Sequence, residues 1–590
     1  MPNLVYILFR RLRSPLVLLI IVYAISIIGF VLIPGVDDQG KPWQMSFFHA
    51  FYFVSFMGTT IGFGEIPYAF TDAQRYWTLI TMYASVISWL YGIGVLLSVF
   101  QDPAFRQQMK TNSFNRRIKN IREPFYIICG YGDTGSQLAH SLSEEGILSV
   151  IIDPDEQRIN DLEVDDFRTP PVSLCADGSQ SEILEMAGIK HPWCKGIITL
   201  ANDDTANLTV AIVAQLLSPK LRLIARAETP EAESNILSFG ANEVINPFET
   251  FASRFALALK SPSLYSIYEW TTGKSGQIMQ EPPAPNPGVW IISGFGRFGR
   301  ALYDHLEQDD VPLQVIVADR KQKGIPSGSV VGAPTEAKAL IKAGIEDAVG
   351  IIAGTDNDAN NLSILMTSSE LNPDLFRVAR QNEDKNSHLF QTANLDMLMQ
   401  RGSVISNTIF ALIRTPMLGD FLRIISRFKN DRANELVSRI VGAVQDDVPK
   451  LWELRVNAEE TPALFKVIQN QQVLVDDILR GEAGLGSAKP NQHTAALPLF
   501  LKRGKGNVLL PENNRIIREG DRFLMCGTHD AQECMLRVTK NINLLESVLL
   551  GERVASSWLW RKFTDRKRKI KCIDTDAGEE IIVEKARAED

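Results

Sequence analysis

Phe125-Tyr126-Ile127-Ile128-Cys129-Gly130-Tyr131-Gly132-Asp133-Thr134-Gly135 decides how most of this chain folds. An apolar run enters G-x-G-x-x-G, the pattern of a buried strand that turns sharply into a helix. Eighteen residues past the third glycine, a second apolar run ends in an acid, Ile151-Ile152-Asp153. The same text recurs at Val289-Trp290-Ile291-Ile292-Ser293-Gly294-Phe295-Gly296-Arg297-Phe298-Gly299, followed by Ile316-Val317-Ala318-Asp319, with the acid 20 residues past the third glycine. Strands alternating with helices imply a parallel sheet, here present twice.

Moving outward, the copies stay in step. Asp204-Thr205-Ala206-Asn207-Leu208 corresponds to Asp358-Ala359-Asn360-Asn361-Leu362, Ile224-Ala225-Arg226 to Val378-Ala379-Arg380, and Pro262 to Pro416, all offset by 154 residues. The glycine loops are offset by 164, so the second copy is shorter between its second and third strands. Each copy closes with an amphipathic helix pair, Phe251–Thr271 and Thr408–Phe428, broken at the proline. Strand, glycine loop, helix and acid together are the dinucleotide-binding fingerprint. The glycines let backbone approach a pyrophosphate at a helix N-terminus, and the acid takes a ribose diol. Candidate ligands in the first copy are Gly130, Gly132, Asp133, Thr134, Gly135, Asp153, Asp177 and Arg226; in the second they are Gly294, Gly296, Arg297, Phe298, Gly299, Asp319, Arg320 and Arg380. Asp177 and Asp204 fall at strand ends, where they either face the ligand or cap a helix. The expected ligand is NAD, with ADP or ATP as the alternative, because an acid suits a free 2′-hydroxyl and repels a 2′-phosphate. Asp133 in the first loop disfavours added negative charge, whereas Arg297 and Arg320 favour it, so the second site is expected to accept more highly phosphorylated nucleotides.

The whole chain has 590 residues, too many for one domain. Its hydrophobic content of 45% and charge of 22% exclude a disordered or fibrous chain, and a net charge of −8 argues against a nucleic-acid binder. Six cysteines without a C-x-x-C pair exclude a disulfide scaffold or zinc ribbon. The seven histidines are scattered and no Ser-Tyr-Lys set follows the loops, so no enzyme is expected. The long apolar runs lie in the first 100 residues. Leu16–Ile33 and Tyr76–Phe100 carry no charge and are long enough to cross a hydrocarbon layer of roughly 30 Å. Arg10, Arg11 and Arg13 precede the first span, and Arg106, Lys110, Arg116, Arg117, Lys119 and Arg122 follow the second. Positive charge marks the cytoplasmic side, which puts both termini inside and requires an even number of spans. The third uncharged run, Met45–Gly64, is therefore read as re-entrant: a short helix to about Gly58, then extended backbone. Such backbone survives at membrane depth only where it is buried in protein or lines a water-filled path.

Thr60-Ile61-Gly62-Phe63-Gly64-Glu65 resembles the potassium-channel filter T-V-G-Y-G-D, with Phe63 in place of Tyr and Glu65 in place of Asp. The resemblance implies that carbonyls of Thr60, Ile61, Gly62 and Phe63, with the Thr60 hydroxyl, replace the hydration shell of K⁺. A cage of that kind implies a homotetramer. Gly92 and Gly94 in the second span read either as a gating hinge or as small residues at a helix contact. Paired glycine-loop domains ending in helix hairpins resemble RCK domains, regulators of potassium conductance. Gly520-Asp521-Arg522-Phe523-Leu524-Met525-Cys526-Gly527 resembles their C-terminal lobe.

The expected architecture is a membrane α-helical pore (1–105) of two spans and a re-entrant loop, fused to two α/β Rossmann-like RCK domains (106–275 and 288–440) across a proline-rich linker (276–287). A small α/β C-terminal lobe (441–545) and a charged tail (546–590) follow. The resemblance implies a K⁺-selective channel of the bacterial inner membrane, gated by a nucleotide bound to a cytoplasmic ring. The alternatives are a membrane-anchored NAD-binding subunit of a potassium transporter and an NAD-dependent oxidoreductase, the latter without a catalytic set.

Overall fold

The computed structural model describes residues 4–62, 66, 68–273, 279, 285–322, 324–428, 430–444, 447–481, 493–504, 506–550, 570–574 and 579–583. It divides after Arg122 into two units.

In the first unit, helices α1 (Leu4–Leu32) and α3 (Asp72–Gln101) are, among the described residues, the two helices long and apolar enough to cross a membrane. Between them lie a two-strand hairpin, β1 (Gly35–Val36) and β2 (Pro42–Trp43), and the short helix α2 (Phe47–Gly58). Missing side chains let the helices approach: a Cβ on Gly29 would overlap the Trp77 ring, and one on Gly58 the Tyr23 hydroxyl. Trp77 Nε1 donates to the Ser26 carbonyl at 3.1 Å, and Trp89 Nε1 to the Tyr23 hydroxyl at 3.2 Å. Phe53 of α2 anchors an aromatic cluster, with ring centroids 5.0 Å from Phe30 and 5.1 Å from Phe70. Helix α3 starts in a capping box between Thr71 and Gln74 and runs unbroken through Gly92 and Gly94; Gly92 lies against Pro15 of α1, a small-residue contact. Where the span ends, Arg11 pairs with Asp102 at 2.5 Å, tying α1 to α3. Helix α4 (Pro103–Lys119) leads to the second unit.

That unit holds the two sheets the glycine loops call for. The first comprises β3 (Phe125–Cys129), β4 (Leu148–Asp153), β5 (Val172–Cys175), β6 (Cys194–Thr199), β7 (Arg222–Arg226) and β8 (Glu243–Ile245), all parallel, in the order β5-β4-β3-β6-β7-β8. Its helices are α5 (Asp133–Glu144), α6 (Glu156–Val164), α7 (Ser181–Met186), α8 (Asp204–Leu217) and α9 (Pro230–Ser238), followed by α10 (Pro247–Lys260) and α11 (Pro262–Thr272). The second sheet repeats the order as β11-β10-β9-β12-β13-β14, from β9 (Trp290–Ser293), β10 (Leu313–Val317), β11 (Val330–Val331), β12 (Gly350–Ala353), β13 (Phe376–Gln381) and β14 (Met397–Gln400). Its helices are α12 (Arg297–Gln308), α13 (Ala337–Lys342), α14 (Asp358–Leu371), α15 (Ser387–Thr392), α16 (Arg401–Arg414) and α17 (Leu418–Ile425). In this order the strand direction of travel reverses at the first strand, and ligands of such sheets lie there, over the carboxyl ends.

The repeats exchange helices. Ile405, Ile409, Leu412 and Ile413 of α16 are buried against Leu138, Ala139 and Leu142 of α5, in the other repeat. Reciprocally, Phe248, Phe251, Ala252, Phe255 and Ala256 of α10 are buried against Ala301, Leu302 and Leu306 of α12. Each large side chain so buried contributes about 1.5–3 kcal/mol. Residues matched by the 154-residue offset touch each other, Arg254 Nη2 donating to Thr408 Oγ1 at 3.1 Å and Tyr268 Oη to the Leu422 carbonyl at 3.4 Å. Contacts between equivalent residues mark a two-fold relation.

The C-terminal lobe follows α18 (Asn430–Val444). It is an antiparallel sheet, in the order β15-β18-β16-β17, of β15 (Lys450–Arg455), β16 (Ala496–Arg503), β17 (Gly506–Leu509) and β18 (Arg522–Gly527), covered by α19 (Pro462–Ile468), α20 (Val475–Arg480), α21 (His529–Lys540) and α22 (Ile542–Leu550). One core joins its Leu451, Phe500 and Leu524 to Leu264 of α11, Phe421 of α17 and Leu436 of α18.

Candidate ion path and glycine-loop sites

In the pore unit the Ser46 hydroxyl caps α2, accepting from His49 N at 3.3 Å. After Gly58 the backbone unwinds. Thr60 has φ 60° and Gly62 φ 66°, both left-handed, and Thr60, Ile61 and Gly62 are exposed in the single chain. A β-branched residue in that region is held under strain. Phe63, Gly64 and Glu65 lie outside the described residues, as does most of the linker and of the basic tail.

Each glycine of the two loops has its own task. Gly130 and Gly294 have φ 107° and 100°, which favour glycine. A Cβ on Gly135 or Gly299 would strike the carbonyl oxygen of Gly130 or Gly294, so the third glycine sets helix-on-strand packing. The middle glycine is different. A Cβ on Gly132 would meet only Arg158 Nη1, at 3.7 Å, and one on Gly296 only Asp356 Oδ2, at 3.9 Å. Open space therefore lies before the first turns of α5 and α12, neither of which has a side-chain cap. Uncapped N–H groups facing space fit a phosphate.

At the first site a cleft of about 380 Å³ is lined by Gly130, Gly132, Asp153, Arg158, Asp177 and Asn202, among others. Asp153 is buried and already engaged: one carboxylate oxygen accepts from Tyr131 N at 2.6 Å, the other from Asp155 N at 2.8 Å, with Arg158 Nη1 at 3.5 Å. Asp177 stands on the rim, accepting from Ser179 N and Oγ; these hydrogen bonds hold its carboxyl below the usual range. Burial, then the charges of Asp177 and Asp153, push the Cys129 thiol beneath the loop up to about 12, which keeps it neutral. The Thr134 side chain is buried.

Asp204 neither caps its helix nor lines the cleft. Asp203 is the cap of α8, accepting from Thr205 N and Ala206 N, while Asp204 accepts from Glu228 N at 2.9 Å and Thr229 Oγ1 at 2.9 Å. The repeated Asn207 and Asn361 are strand clamps, donating to the carbonyls of Arg226 and Arg380 at 3.0 and 2.8 Å.

The second site is built otherwise. Asp319 and Arg320 are exposed beyond the end of β10, and Asp319 accepts from Lys321 N rather than from its glycine loop. Phe298 is fully buried and packs on Phe251 at 5.5 Å. Arg380 is buried under the Phe248 ring, 4.9 Å from its centroid, and pairs with Asp356 at 2.5 Å. Arg297 points across to the first repeat, where it pairs with Glu228 at 2.6 Å. The reading of Arg297 as a phosphate ligand of its own loop is thereby altered: its guanidinium is held at the seam.

Sequence spacing alone did not reveal that seam. Glu228 is buried among Arg226, Arg297 and Arg401, with Arg401 Nη1 at 3.1 Å. Burial pushes its carboxyl up, but the three guanidinium groups overcome this and hold it below the usual range. Arg158 also emerges only from the structure. The repeat offset contained a hint: Glu228 corresponds to Asn382 and Arg401 to Pro247, so the cluster falls where the copies differ.

Comparison with known proteins bears on this arrangement. The TrkA-N domain model matches residues 126–247 and 290–400, over both glycine-loop sheets, and the ion channel model matches residues 17–102, over both long helices and α2. Together these matches span more than half of the chain. It belongs to the two-transmembrane potassium channels with tandem RCK domains. This RCK channel is 28% identical over 244 residues to potassium channel protein 1 of Methanocaldococcus jannaschii, covering 41% of this chain and 68% of the relative. It is 27% identical over 254 residues to probable potassium channel protein 2 of the same organism, covering 42% and 67%. A solved GsuK channel bound to NAD aligns with 90% of the RCK channel and 98% of its own chain, at 17% identity and a TM-score of 0.44.

Proposed function

We propose that this potassium channel is gated by a nucleotide bound at the glycine loops, with NAD as the ligand or else ADP or ATP. The observation that carries this reading is the pair of uncapped helix N-termini, each behind a middle glycine that faces open space. At the first site a buried acid stands beside the same cleft. In this reading four chains bring the carbonyls of Thr60, Ile61 and Gly62 around one axis, where they select K⁺. The chain sits in the bacterial inner membrane with both termini cytoplasmic, so that the basic residues after α3 and the repeats share one side. Helix α4 carries the only covalent connection between repeats and inner span, and a coupling of roughly 1–3 kcal/mol along it is the usual scale.

The test is K⁺ flux through the purified protein in liposomes, with and without NAD, ADP or ATP. A nucleotide-dependent change in barium-sensitive flux is expected. Flux indifferent to all three nucleotides refutes the gating, and no flux under any condition refutes the pore. Cross-linking in detergent that stops at dimers refutes the tetramer.

A further inference from the structure

Three guanidinium groups converge on one carboxylate where the repeats meet. Arg226 and Glu228 are almost wholly buried, with side chains 2% and 4% exposed, Arg401 is 23% exposed and Arg297 53%. Other acids stand near and keep their own charge: Asp204 accepts from Glu228 N and Thr229 Oγ1, Asp384 from Gln137 Nε2 at 2.6 Å, and Asp133 lines the same gap. Arg226 Nε is buried without a hydrogen-bond partner. Glu228 is the carboxylate paired with all three guanidinium groups, so loss of its charge leaves buried positive charge that an added anion relieves.

The cluster abuts the first glycine loop. Arg226 and Arg401 line a gap of about 10 Å³ together with Gly132, Asp133, Thr134, Asn202, Asp384 and Gly402. The gap has room for about one water. Arg401 opens helix α16, which belongs to the other repeat, and a Cβ on its neighbour Gly402 would stand 3.4 Å from Asp133 Cβ. The first glycine-loop turn is thus roofed by two arginines that already pair with Glu228.

We propose that Glu228 is a built-in anion that occupies this arginine cluster and sets how many phosphates the first site accepts. The proposal rests on the nucleotide reading above and deepens it. A diphosphate is held by the amides at the start of α5 without help from the seam. A third phosphate is larger than the gap and has to displace the Glu228 side chain from Arg401 and Arg226. With Glu228 ionised the site discriminates against triphosphates; with its charge removed, the arginines become a subsite for the terminal phosphate.

Calorimetry on the full-length channel in detergent, with ADP and ATP as titrants, tests this. Wild type is expected to bind ATP no more tightly than ADP at this site. Glu228→Gln is expected to raise ATP affinity relative to ADP by about tenfold, or about 1.4 kcal/mol, the scale of one charge-assisted hydrogen bond. Adding Arg401→Gln to Glu228→Gln should cancel the gain, which assigns it to the first site. Should Glu228→Gln lose its melting transition, Glu228→Asp keeps the charge but draws it back by one methylene, and it too should raise the ratio. An ATP-to-ADP ratio indifferent to Glu228, with ADP still bound, overturns this inference alone. Absence of binding by either nucleotide in wild type overturns the nucleotide reading and this inference with it.

Discussion

Replacing Gly132 by alanine separates binding from folding. Gly132 has φ −88° and ψ −164°, extended backbone open to any residue, and the new methyl would meet only Arg158 Nη1 at 3.7 Å. Loss of glycine's unfolded-state freedom contributes about 0.4–1 kcal/mol of stability. Alanine is a poorer N-cap than glycine, a penalty of about 0.5–1 kcal/mol, so the two offset and the melting temperature should barely move. The same methyl intrudes on the path of the pyrophosphate to the α5 amides. Losing two charge-assisted hydrogen bonds at about 1.5–3 kcal/mol each weakens binding at least about a hundredfold. Calorimetry and thermal melts on the full-length channel should show the first-site binding event vanish at unchanged stability, while Gly296→Ala removes the other event. Gly135→Ala is the control: its methyl collides with the Gly130 carbonyl, so it should lower stability as well. Tight nucleotide binding by the double variant Gly132→Ala, Gly296→Ala would show that the phosphates do not lie on these turns.

Further outcomes follow from the same geometry. Gly62→Ala places a Cβ at φ 66° and costs roughly 1–2 kcal/mol locally; K⁺ flux into liposomes should vanish while the protein still purifies as wild type, and persistent flux would place the ion path elsewhere. Ile409→Ala empties a buried position on the exchanged helix α16 and should cost about 2–5 kcal/mol; chemical denaturation should show both repeats weakened in one transition, and loss confined to one repeat would contradict the shared core. Glu228, held below its ordinary 4.5, adds stability that is present above that value and lost as pH falls through its lower folded value. The difference in melting temperature between wild type and Glu228→Gln should therefore be constant near neutrality and shrink in acid below pH 4.5; a constant difference at all pH values would mean that Glu228 acts by shape and not by charge.

The parts legible in the sequence are those fixed by neighbours along the chain. Gly130 and Gly135 act on each other within one turn, and Asp153 is placed by its own strand, so spacing alone located them. The two spans and the unwinding after Gly58 were likewise written in apolar length and in glycine and threonine content. The seam was not, because Glu228 and Arg401 are 173 residues apart and meet only after α16 crosses to the other repeat. For the same reason spacing points Arg297 at its own loop: local spacing places its backbone but not the direction of a long side chain. Asp153 and Asp319 looked equivalent by spacing, yet one is buried under its loop and the other is exposed, because β10 ends at Val317, two residues before its acid.

The helix exchange between the repeats takes place inside one polypeptide. In a pair of identical subunits related by a two-fold axis, any substitution appears on both faces at once, so an acid chosen to meet a base must be duplicated opposite a second copy of that base. Here the two faces are separate stretches of one chain and can drift independently. Asp133 stands where its counterpart is Arg297, and Glu228 where its counterpart is Asn382. The two-fold contact thus joins two faces of different composition, a lock and a key. The single chain also fixes their ratio at one to one, whatever the concentration of the protein, so every chain carries two chemically distinct glycine-loop sites.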